Sequence, residues 1–409
     1  MSTDEARRLL SPLTGGSEGV ASDAEVTAAM IAAEVALVRA WAGAGVAPQE
    51  VANEVSLAFG WDADTGTCAL GLADAGSLGE SVAVHGTPVI ELVSWMRSRV
   101  SEGAAPWIHR GATSQDVIDT ALMEVAARAA EAAAGLLVEA EDALAALARD
   151  HRDTVAIART LTQHAAPTTF GARVAGWLTG ISRARARLEA AAAEAPAQLG
   201  GAVGTLDAFI EVARAEGAAD PQGVARDVAE RFAAELFLRA AAPWHTVRAP
   251  VTELGDALVQ SVDAVAHFAA DVSVLGRPEI GEVATADAGG SSAMPHKRNP
   301  TSVVLIRAAG VRAPFLGATL HAAAASATDE RADGPWQAEW PALQELAALA
   351  YGTAQAGAAL AGGLTVNAER VAANLALSAG ASPELSDPDA HLGLAGEIVD
   401  EASKGARES

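Results

Sequence analysis

The chain has 409 residues, a formal net charge of −24, and a composition that is 50% hydrophobic but only 4% aromatic. That length exceeds one simple core and predicts two or three domains. The acidity argues against nucleic acid as a partner, because phosphate binding needs clustered Arg and Lys. A single cysteine, Cys68, excludes an internal disulfide and a Cys-based zinc site.

The opening stretch MSTDEARRLL lacks the apolar core of a signal peptide. No apolar run reaches bilayer-spanning length without a charge or a helix breaker. A cytoplasmic protein with no membrane partner is therefore expected.

Most of the apolar mass is Ala, Leu and Val, and Ala and Leu favour helices. Small side chains let long helices approach closely. In chain order, residues 23–43 read as a helix with Asp23 near its start and Gly43 at its stop. A second helix begins near Pro88, with Thr87 as its cap. Long helical runs then cover 114–149, 167–195, 223–240, 250–276 and about 299–327. No window shows β-alternation of useful length. The expected fold is all-α, a long helical bundle. The expected division is a small N-terminal helical domain (1–108), a central long-helix bundle (109–350) and a shortened C-terminal segment (351–409). The tail after residue 380 is polar and expected to be mobile.

Polar and glycine-rich stretches collect at the ends of the long runs, which is where a scaffold usually carries its chemistry. HRGATSQD (109–116) offers His109, Thr113 and Ser114 as donors to a carboxylate, while Thr113, Ser114 and Asp116 also suit a helix start. ARTLTQHAAPTTFG (158–171) gathers Arg159, Gln163 and His164 ahead of Pro167, read as a helix start. APWHTVR (242–248) supplies His245 and Arg248; Arg248 is a candidate bidentate carboxylate clamp, or else the partner of nearby Glu253. DERADGPWQAEW (329–340) holds Arg331 beside two packing tryptophans.

The stretch GGSSAMPHKRNP (289–300) stands apart. The chain has 28 Lys plus Arg, and only Lys297 and Lys404 are lysines. A compact ammonium placed behind two glycines and two serines differs in shape and donor geometry from the arginines used elsewhere. Lys297 and Asn299 lie where a following helix N-terminus can hold an anion. No Walker A loop, GxGxxG after a strand, HExxH or EF-hand loop is present, so neither a metal nor a nucleotide cofactor is expected.

Together GSSAMPHKRNP (290–300), HRGATSQDVIDTA (109–121) and RTLTQHAAPTTFG (159–171) resemble the three signature segments of the fumarase/aspartase superfamily, in order and in spacing. QLGGAVGTL, PWHTVR and TPVIELV are similar to its cycloisomerase branch. The resemblance implies a cofactor-independent enzyme, a homotetramer with active sites shared between protomers, and a small polycarboxylate substrate. It implies that Ser291, with Ser292 as the alternative, is the catalytic base. Lys297 and Asn299 would bind substrate and stabilise charge, and Thr113, Ser114 and Gln163 would hold carboxylates.

Superfamily members that expel an amine or hydroxide carry a histidine after RT; here that position is Leu161. Amine and hydroxide need a proton on departure, whereas a carboxylate, with a pKa near 4, leaves or attacks as a stable anion. The expected reaction is therefore closure of a carboxymuconate to a lactone through an enediolate-like intermediate, with His164 binding or orienting the substrate. The alternatives are another lyase of the superfamily acting on a succinate adduct, including one that expels nitrite, and a catalytically idle helical assembly protein.

Overall fold

The computed structural model describes residues 10, 11, 13, 14, 19–286, 289, 290, 293, 294 and 297–408. Helix α1 (Asp23–Gly43) has the bounds read from the sequence. Ser22 caps it by accepting from the Glu25 N–H at 3.2 Å, and the Glu25 carboxylate reaches back to the Ala21 N–H at 2.6 Å. Both bonds satisfy donors that a helix start leaves open. Val35, Leu37, Val38 and Trp41 are almost wholly buried, so α1 is a core helix apolar on most of its circumference.

Shorter helices follow: α2 (Gln49–Ala58), α3 (Ala75–His85) and α4 (Val89–Arg97). The long run at 114–149 is helix α5 (Ser114–Asp150). After a hairpin come α6 (Phe170–Ala193), α7 (Asp207–Ala215), α8 (Pro221–Glu235) and α9 (Ala249–Leu275). Helices α10 (Thr301–Ala325), α11 (Pro335–Gly362), α12 (Ala368–Ala376), α13 (Pro383–Ser386) and α14 (Ala395–Glu408) complete the described chain. The all-α expectation holds. Helix α11 was not among the expected runs, and it contains Pro341, which removes a backbone hydrogen bond inside a helix. Pro341 lies in the second turn, and burial of Leu343, Leu346 and Leu349 offsets the lost hydrogen bond.

Two expectations are corrected. Residues 155–169 are not a loop leading to a helix at Pro167. They form an antiparallel hairpin of β1 (Val155–Thr160) and β2 (Gln163–Thr169). Leu161 and Thr162 make its turn with φ of 46° and 70°, the pair of left-handed residues that a two-residue hairpin turn requires. The pairing runs Ile157 with Pro167, then Arg159 with His164, so β2 carries one extra residue in a bulge. A proline is tolerated in such a strand because it lies beside the bulge in a sheet that is all edge. The C-terminal tail is ordered into α14: Val399 is buried, and Asp400 receives both Arg152 Nε at 2.9 Å and Nη2 at 2.8 Å. A second short pair joins β3 (Val283–Ala284) to β4 (Thr365–Val366).

Packing divides the chain into two compact units, neither continuous in sequence. Unit one comprises 1–130, 190–256 and 315–348; unit two comprises 131–189, 257–314 and 349–409. Within unit one, α1 anchors an aromatic cluster in which Trp41 stacks on Phe209 at 5.4 Å. Within unit two, helices pack through glycines. A Cβ on Gly310 would meet Ala266 at 2.5 Å, and one on Gly357 would meet Val265 at 2.6 Å.

By length and composition alone, α1, α9 and α10 are long and apolar enough to cross a membrane. The apolar window of α1 is 78% buried inside the fold, against 44% for α9 and 33% for α10.

Candidate active site

Unit one gathers five of the residues singled out in the sequence. Ser114 opens α5, and Asp116 lies two residues in. The Asp116 carboxylate accepts from the N–H groups of Thr113 (3.0 Å), Gly200 (2.8 Å) and Gly201 (3.0 Å), and contacts His245 Nε2 at 2.9 Å. One helical turn on, Asp119 accepts Arg248 Nη1 at 2.7 Å and Nη2 at 3.1 Å, together with Trp336 Nε1 at 2.8 Å. Gln115 donates to Asp119 and to the His245 carbonyl, and accepts from Arg331 Nε at 3.2 Å. Arg331 also donates to the Ala202 carbonyl at 2.9 Å. Thr113, Ser114, His245, Arg248 and Arg331 thus meet around the first turns of α5.

The expected pairing of Arg248 with Glu253 is corrected, and as a substrate clamp Arg248 would have to compete with the protein's own carboxylates. Its other edge is held by Glu339, with Nη2 at 2.6 Å and Nε at 3.0 Å, and the residue is 4% exposed. Burial alone would lower its pKa; the Asp119 and Glu339 carboxylates overturn that and hold it above the ordinary value. The guanidinium is consumed by the protein's own carboxylates. His245 is likewise turned to Asp116. His109 is turned to Glu34, with Nδ1 at 2.6 Å and its N–H at 2.8 Å. Burial would depress His109, but the Glu34 carboxylate holds it above its ordinary value. The side chains of Thr113 and Ser114 make no recorded hydrogen bond to the described residues, and both are half-buried.

Unit two carries the other group. On the hairpin, Arg159 and His164 are cross-strand partners. Arg159 Nη2 lies 2.6 Å from Glu282 Oε1, and Glu282 also accepts from Arg173 at 3.2 Å and from Asn374 at 2.8 Å. Burial would raise the Glu282 carboxyl; the bonds from Arg159 and Asn374 hold it below its ordinary range. His164 Nδ1 lies 2.6 Å from Ser378 Oγ. Gln163 is exposed at the tip, and Leu161 is 96% exposed.

In the 289–300 stretch, Gly289 and Asn299 exchange backbone hydrogen bonds at 2.9 and 2.8 Å. A side chain on Gly289 would collide with the Thr301 hydroxyl. Asn299 Nδ2 donates to the Gly290 carbonyl at 3.1 Å. Lys297 is exposed, four residues before α10 begins. Ser291 and Ser292 lie outside the described residues. Among the described residues no group of three or more His, Cys, Asp or Glu could hold a metal ion.

Sequence reasoning missed Asp119, Glu339, Glu282 and Ser378, and read Asp116 only as a first-turn acid. Asp116 and Asp119 did leave a signal: two acids three apart share one helix face, and burying that face demands donors.

A family model described as Lyase matches residues 16–314. Nitrosuccinate lyase of Streptomyces davaonensis is 41% identical over 386 residues, covering 91% of this chain and 77% of that protein. The 3-carboxy-cis,cis-muconate cycloisomerase of Bradyrhizobium diazoefficiens is 38% identical over 354 residues, covering 85% and 74%. The crystal structure of the 3-carboxy-cis,cis-muconate lactonizing enzyme from Pseudomonas putida aligns with a TM-score of 0.83 at 29% identity, covering 98% of this chain and 99% of that one.

Proposed function

The chain belongs to the lyase family of the fumarase/aspartase superfamily and is an enzyme, and from that premise we propose that it converts 3-carboxy-cis,cis-muconate to a carboxymuconolactone. A carboxylate oxygen adds to one carbon of a double bond. The electron pair moves onto the neighbouring carbon and its carboxyl group as an enediolate, and a proton then reaches that carbon.

The observation that carries the class of reaction is Leu161, and the 38% identity to a cycloisomerase with the TM-score of 0.83 to a lactonizing enzyme favours the lactone within that class. Leu161 stands exposed at the hairpin turn, where superfamily members that expel poor leaving groups place a histidine. With no acid there, the group that moves must be stable as an anion. A carboxylate meets that condition.

Ser291, with Ser292 as the alternative, delivers the proton. Lys297 and Asn299 stabilise the enediolate as an oxyanion hole does. Thr113, Ser114 and Gln163 hold carboxylates, and His164 orients the substrate. A homotetramer with shared sites is part of the same proposal. Val304, Val311 and Phe315 recur at helical spacing on α10 and are 56, 66 and 73% exposed, an apolar stripe that association would cover.

A second reading has one specific support, the 41% identity to nitrosuccinate lyase. Nitrite is also a weakly basic anion that departs without a proton, so Leu161 suits it equally. Incubation with both compounds separates the two. Loss of diene absorbance without nitrite supports lactone formation. Release of nitrite and fumarate from nitrosuccinate, with the muconate untouched, overturns it.

A further inference from the structure

Helix α12 packs against strand β1 and meets the hairpin at both of its facing site residues. Asn374 is 4% exposed and donates to Glu282, the carboxylate that holds Arg159. Four residues later, just beyond the helix end, Ser378 Oγ lies 2.6 Å from His164 Nδ1. Residues four apart share one side of a helical turn. The end of α12 and the turn that follows it therefore engage both members of the Arg159–His164 cross-strand pair, Arg159 through Glu282 and His164 directly. His164 Nε2 has no recorded hydrogen bond among the described residues.

A neutral imidazole has one donor nitrogen and one acceptor, and the bond made by one nitrogen sets the role of the other. We infer that Ser378 is a positioning residue for the reaction: it engages Nδ1, fixes the ring of His164, and leaves Nε2 carrying a proton for a substrate carboxylate. The serine hydroxyl donates to Nδ1, so the ring proton resides on Nε2. An anionic substrate needs a donor there, and the opposite tautomer would present a lone pair to a negative charge. Without the hydroxyl, the ring is free to rotate and to exchange tautomers. This inference rests on the reading of His164 as a substrate contact.

The test compares S378A, S378V and S378T in the full-length protein, with H164A beside them. Threonine and valine have nearly the same shape, so their difference isolates the hydroxyl. Activity is read with whichever of the two compounds above is turned over. The tautomer is read without substrate from ring 15N shifts of 15N-histidine-labelled protein, with H164A identifying the signal.

The expected result is a fall in kcat/KM of about ten- to a hundredfold in S378A and S378V, the scale seen when an orienting partner is removed from a functional histidine. S378T should recover to within about threefold. Thermal stability should be unchanged in all three. The wild-type ring should carry its proton on Nε2, and S378V should show a mixture. Wild-type kcat/KM in H164A would remove the reading of His164 itself. An impaired H164A together with wild-type activity and tautomer in S378V would remove only the role of Ser378. If neither compound is turned over, an unchanged tautomer in S378V still overturns the inference.

Discussion

The polar cluster at the start of α5 and the hairpin of unit two hold similar side chains in opposite states. Around Asp119, every strong donor is already spoken for: Arg248 lies between two carboxylates, and Trp336 and Gln115 fill the remaining lone pairs. On the hairpin, Arg159 is taken by Glu282, but His164 Nε2 has no hydrogen bond among the described residues, and Gln163 and Leu161 are exposed. Both regions look equally functional as sequence. Saturation marks a group that holds the fold, and a vacancy in hydrogen bonding marks one that can meet a ligand.

The largest expected effect lies outside both regions, in the 289–300 stretch, where the contrast predicts that an exposed cation serves chemistry and not the fold. Lys297→Met should lower kcat by about 10³-fold or more, about 4 kcal/mol of lost charge stabilisation, with an unchanged melting curve because the residue is exposed. Unchanged turnover would remove the proposed mechanism. On the saturated side, Arg248→Met should cost roughly 3–5 kcal/mol in urea unfolding, because it strands two buried carboxylates. If stability is kept and only the KM rises, Arg248 binds substrate after all and the contrast fails.

A smaller effect concerns Glu124, farther along α5. Burial, reinforced by Glu25 and opposed by Arg128, pushes its carboxyl up to about 7 from 4.5. The folded protein therefore keeps a proton that the unfolded chain releases near pH 4.5. This contribution is complete below that pH and is lost as pH rises to 7, a span of at most about 3 kcal/mol. Glu124→Gln should flatten the pH dependence of stability over that window, which melting curves from pH 4.5 to 8 would show. The smallest effect is at the turn. Leu161→His should change kcat by less than about twofold, since a stable anion gains nothing from an added acid. A large rise would mean that the departing group needs a proton, contrary to both readings of the reaction.

The long helices were legible because Ala and Leu recur at helical period over many turns, as in α1 and α5. The hairpin was not, because its strands are short and a bulge breaks the alternation that would reveal them. The 289–300 stretch was legible through the rarity of lysine, a signal independent of geometry. The partners of the site residues were harder. Asp116 meets Gly200 and His245, and Arg248 meets Glu339, across long separations in the chain, and no local pattern encodes which distant carboxylate will arrive. Ser378 was hidden for the same reason: it lies just past α12, 214 residues from His164 along the chain.

The extra residue in β2 has an engineering meaning. The turn pairs His164 directly with Arg159, and the extra residue lies between that pair and the next one, Ile157 with Pro167. The alanines between them, Ala165 and Ala166, act as a spacer. Deleting either would leave the imidazole opposite Arg159 but shift the rest of β2, from Pro167 to the start of α6, by one residue along the chain, so at this point chain length, more than residue identity, sets how the hairpin joins its helix.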